Sequence, residues 1–130
     1  MVSRKSVRVD LTFAALNDLE VKMDNIENAY LTEPVSKKIW TVLGPEFGDN
    51  QGKQAIVVQA LYGLKSAGAS FWNHLAECMQ HLGWTSCITD RGVCYKAQTR
   101  PSGGHEYYVY ALCYIYDILA VHHDGMEALR

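Results

Sequence analysis

Asp117 closes the run Tyr114-Ile115-Tyr116-Asp117, near the C-terminal end of the sequence. Apolar, β-favouring stretches flank it, residues 107–113 before and 118–121 after. That pattern predicts a β-hairpin with polar groups at its tip. A carboxylate there could help hold a hard divalent cation, which asks for several anionic oxygens in an octahedral shell. The adjacent Tyr116 brings a bulky phenol, which is neutral at pH 7 and contributes no charge. Far upstream, Asp24 and Asn25 follow Glu20-Val21-Lys22-Met23, whose polar–apolar alternation predicts a short strand. Neighbours on a strand point to opposite faces, so only one of Asp24 and Asn25 can face a given site, and a one-residue slip would exchange them. A softer metal is a second possibility. His74, Cys78 and His81 share a face of a predicted helix, and Cys87 would make a fourth ligand. Their spacing is not finger-like, and Cys78 already belongs to an apolar stripe, so a core helix is the simpler reading.

The elements that must position these groups follow from pattern. A helix is predicted over residues 6–19 with Ser6 as its cap, and a turn or short helix at 28–31. Strands are predicted at 38–43 and 55–58, separated by a glycine-rich loop at 48–52. The clearest helix covers 66–82, with Phe71, Leu75, Cys78 and Leu82 as its stripe and Gly83 as its stop. A strand at 93–96 and a loop at 101–104 precede the hairpin. This order predicts an α+β domain, an antiparallel sheet with helices packed on one face.

The 130 residues allow one small domain. With 48% hydrophobic and 20% charged residues the composition is that of a globular chain, not a disordered one. A net charge of −2 gives no basic surplus advertising nucleic acid. No apolar run approaches the ~20 residues needed to cross a bilayer, so no membrane partner is expected. The four cysteines form no CxxC pair and read as reduced thiols, which with no signal segment makes an intracellular location the expectation.

Three segments in fixed order then point one way. They are Lys22-Met23-Asp24-Asn25-Ile26-Glu27-Asn28-Ala29-Tyr30-Leu31, Ala60-Leu61-Tyr62-Gly63-Leu64-Lys65-Ser66-Ala67-Gly68 and Tyr114-Ile115-Tyr116-Asp117-Ile118-Leu119. Together they resemble the reverse transcriptase of copia-type retrotransposons, with its D-V-K-N-A-[FY]-L, A-L-Y-G-L-K-Q-A-P and Y-V-D-D-I-L motifs. Thr89-Asp90 resembles the family's S-D-P segment. The resemblance implies a polymerase palm, RNA-directed DNA synthesis on an RNA or DNA primer–template, deoxynucleoside triphosphates as substrates and two Mg²⁺ ions. It implies that residues 1–130 are one partial palm domain, without the start of the fingers, the thumb or RNase H.

Carried over residue by residue, the catalytic positions are Asn25, Tyr116 and Asp117. Two of these three depart from the family's Asp. Two-metal phosphoryl transfer depends on that charge, and losing it twice would slow the reaction roughly 10⁴-fold or more. The implied metal ligands reduce to Asp117, with Asp24 as a substitute only if the strand slips. Tyr30 matches the aromatic position beneath the incoming sugar, and Tyr62-Gly63 the nucleotide-approach position. The expectation is therefore an inactive copy, or alternatively a remnant that keeps the fold to bind nucleic acid or protein. Because the hairpin strands are apolar and little chain follows them, self-association through an exposed hairpin edge is also expected.

Overall fold

The computed structural model describes residues 1–32, 34–64, 66–99 and 104–123. The chain is α+β with antiparallel sheets, and it divides into two compact units, residues 1–27 with 76–130, and residues 28–75.

The first unit begins with α1 (Arg4–Leu16), whose N-cap is Ser3, not Ser6: the Ser3 side chain accepts from the Ser6 N–H at 3.1 Å. Ser6 lies inside the helix, and its hydroxyl donates to the Asp90 carboxylate. Strand β1 (Glu20–Asn25) follows. The unit's other strands are β4 (Thr85–Ser86), β5 (Val93–Thr99), β6 (Glu106–Tyr114) and β7 (Asp117–His122), and the sheet order is β1-β7-β6-β5-β4. The sequence pattern does not reveal β4, which has only two residues.

The hairpin strands β6 and β7 are the centre of this sheet, each paired on both sides. This corrects the expectation of an exposed hairpin edge. The free edge on that side is β1, whose six residues are all exposed, Met23 at 72%. Self-association through the hairpin itself therefore has no open backbone to use.

Alternation sorts the sheet into two faces. On one, Leu112, Leu119, Val121 and Val93 pack with Val2, Val7 and Ala14, so α1 covers this face. On the other, Ala120, His122, Val109, Ala111 and Cys113 are buried too. Helix cover on one face alone does not account for that; both faces of the central strands are shielded.

The second unit contains a two-stranded antiparallel ribbon, β2 (Pro34–Val42) with β3 (Gln54–Gln59). Helix α2 (Ala67–His81) begins in this unit and ends in the first. Its buried stripe is Ala67, Phe71, Leu75 and Met79, a strict four-residue spacing. The expected stripe member Leu82 lies beyond the helix and is 61% exposed. Gly83, at φ 83°, ends the helix as expected.

Candidate functional site

The β6–β7 connection is a two-residue turn. Tyr114 pairs with Asp117, leaving Ile115 and Tyr116 at the tip. Ile115 has φ 54°, a left-handed value where turns of this kind prefer glycine. A β-branched residue there is strained by roughly 1–3 kcal/mol. Such strain is tolerated where the surroundings fix the chain, and here the strands on both sides do so.

Strand β1 lies beside the tip in a register that opposes Asn25 to Asp117 and Asp24 to Ile118. The Tyr116 carbonyl accepts from the Ile26 N–H at 2.8 Å, which extends β1 to the turn itself. Asn25, Tyr116 and Asp117 thus converge at one end of the five-stranded sheet. The Asn25 side-chain amide donates to an Asp117 carboxylate oxygen at 2.7 Å. The amide orientation follows from chemistry: the carbonyl oxygen would meet the carboxylate as one acceptor against another.

Asp24 stays on the opposite face. Its carboxylate accepts from the Asn25 backbone N–H at 2.8 Å, so it folds back along its own strand. No register slip brings it round, because a slip would also displace Val21 and Met23 from their positions opposite Val121 and Leu119.

Mg²⁺ does not suit the tip as built. Hard cations need several anionic oxygens. The tip offers one carboxylate, and an N–H donor already engages one of its oxygens. Among the described residues, no group of three or more His, Cys, Asp or Glu side chains is placed to hold a metal ion. That includes His74, Cys78, His81 and Cys87. Asp117 also lines a small apolar cavity of about 190 Å³ with Val2, Val7, Met23 and Leu119.

Tyr30, Tyr62 and Gly63 belong to the second unit. The rings of Tyr30 and Tyr62 lie 4.9 Å apart at 36°, and Tyr30 meets Phe71 edge-on at 5.8 Å. Gly63, at φ 95°, sits third in a turn closed by the Leu64 N–H donating to the Leu61 carbonyl at 3.2 Å. That turn geometry alone calls for glycine.

One polar cluster escapes any reading of sequence. Asp90 accepts from the Ser3 N–H at 2.9 Å, the Ser6 hydroxyl, and the Gly92 N–H at 3.0 Å. Partial burial works to raise its pKa; these donors outweigh burial and pull the carboxyl down to about 2. The N-terminal segment then passes over Gly92, where the Val2 N–H donates to the Cys113 carbonyl at 3.0 Å. At the far end of the sheet, buried His122 shares a second polar knot with Gln98 and Tyr107. The only hint of the Asp90 cluster in sequence is the Thr89-Asp90 pair; its partners Ser3 and Ser6 lie more than eighty residues away.

Comparison with protein-family models, with curated proteins and with solved structures gives no match. No helix among the described residues is long and apolar enough to cross a membrane.

Proposed function

We propose that this chain is the palm segment of a copia-type reverse transcriptase whose metal site has lost its charge and no longer synthesises DNA. The observation that carries this reading is the hairpin tip. Asn25 and Asp117 oppose each other at the end of β1 and β7, joined by a single amide–carboxylate hydrogen bond. The family positions there would carry carboxylates around Mg²⁺. The order of the three motif segments supports the same reading, as does an antiparallel sheet centred on the motif hairpin. The family's primer–template and deoxynucleoside triphosphates are the corresponding substrates. Primer extension on an RNA template with Mg²⁺ or Mn²⁺ tests it. The expected outcome is no product above a protein-free control. Extension that disappears in Asp117→Ala would overturn the reading.

A second reading, a non-catalytic nucleic-acid-binding remnant, has its own observation. The β2–β3 ribbon exposes Trp40 (64%), Val42 and Val58, and Lys37 and Lys38 precede Trp40 on the same strand. Exposed aromatic groups near cations suit single strands. Salt-dependent binding of single-stranded RNA, lost in Trp40→Ala, would favour this reading over simple decay.

A further inference from the structure

At the end of the five-stranded sheet remote from the tip, α1 and β6 border a second cavity of about 280 Å³. Phe13, Asn17, Leu19, Tyr107, Tyr108, Tyr110 and His123 line it, all within the first unit. Five of these seven carry aromatic rings, and they do not stack flat. Phe13 meets Tyr110 at 79° with centroids 5.6 Å apart; Tyr107 meets His123 at 68° and 5.6 Å. Rings set at steep angles present faces and edges in several directions, as aromatic boxes that surround a cation do.

The volume lies below the ~300–1,000 Å³ of sites for drug-sized ligands, so a small head group fits. Charge favours a cation. Asp10, three residues before Phe13 on α1, is 9% exposed and one of its carboxylate oxygens is buried without a hydrogen-bond partner. Burial raises its pKa, and its charge in turn helps raise that of Tyr110, behind the desolvation of that phenol. An anion deprived of water is stabilised by a nearby positive charge. A primary ammonium would bring three N–H donors needing acceptors. No carboxylate among the described residues lines the cavity, and the Tyr107 hydroxyl is already engaged by Gln98 and His122. A fully methylated nitrogen carries charge with no N–H to satisfy.

We propose that this cavity binds the methylated ammonium group of a small organic cation. The proposal is independent of the polymerase reading. The test is titration of the full chain with choline, with Nε-trimethyl-lysine, and with 3,3-dimethylbutan-1-ol, the neutral carbon isostere of choline. Binding is read by NMR shift changes and calorimetry. One of the two cations should bind at least about fivefold tighter than the isostere, and the tighter of the two identifies the carrier. Tyr108 is 52% exposed, so Tyr108→Leu leaves the fold intact. That variant should weaken cation binding roughly three- to tenfold while sparing the isostere. Asp10→Asn should weaken the cation in the same selective way. Equal affinity for cation and isostere, no saturable cation binding, or unchanged cation affinity in both variants would overturn the proposal.

Discussion

Two carboxylates of the same unit stand in opposite situations. Asp90 is ringed by protein donors: two backbone N–H groups and a hydroxyl hold it, and its pKa falls to about 2. Asp117 stands half-buried beside the hairpin tip and takes a neutral amide from Asn25. The first carboxylate joins the N-terminal segment to a loop more than eighty residues away. On the proposed reading, the second has the placement of a metal-binding group, strained turn included, with too little charge around it for that chemistry. The two carboxylates depend on different residues, so a change at one need not disturb the other.

The comparison breaks most easily at the Asp90 corner. A Cβ on Gly92 would lie 2.2 Å from the Val2 nitrogen and 2.4 Å from its Cα, both backbone atoms. Gly92→Ala should therefore displace the N-terminal segment and cost about 2–4 kcal/mol, read from the urea midpoint. Asp90→Asn keeps the shape but loses charge-assisted bonds, and should cost about 1–2 kcal/mol by the same measure. The pH dependence has a definite sign. The carboxyl of Asp90 lies at about 2 in the folded chain against a usual 3.8. Its stabilisation is present in full above about pH 4 and is lost as pH falls towards 2. The Asp90→Asn chain should lose less stability across that window than the parent chain. The smallest effect belongs to the tip: Asn25→Ala, which removes one exposed hydrogen bond, should change stability by no more than ~0.5 kcal/mol.

The sequence makes the tip more legible than the corner. Alternation and turn position locate the hairpin to within a residue at each end, while the place of Asn25 at the tip is implied only by the resemblance of its motif. The amide–carboxylate bond follows once that register is known. The corner depends on contacts across more than eighty residues, which no local pattern encodes; hence Ser6 reads as the cap when Ser3 holds that place. The hairpin's position in the sheet is equally hidden. Apolar residues on both faces of β6 and β7 show that these strands want cover, but not that β1 and β5 pair with them. Leu82 misleads for another reason: helical periodicity continues past His81, while Gly83 has already turned the chain.

Metal binding at the tip tests the account most directly. In the parent chain and in the Asn25→Asp, Tyr116→Asp double variant, Mn²⁺ is titrated and paramagnetic broadening is followed at residues 25 and 116–118. The parent should show no localised broadening. The double variant, with three carboxylates at the tip, should show saturable broadening confined to those residues, reversed by excess Mg²⁺. Equal binding in both proteins, or none in the double variant with its hairpin intact, would contradict the proposal that Asn25 and Tyr116 stand where metal-binding carboxylates would.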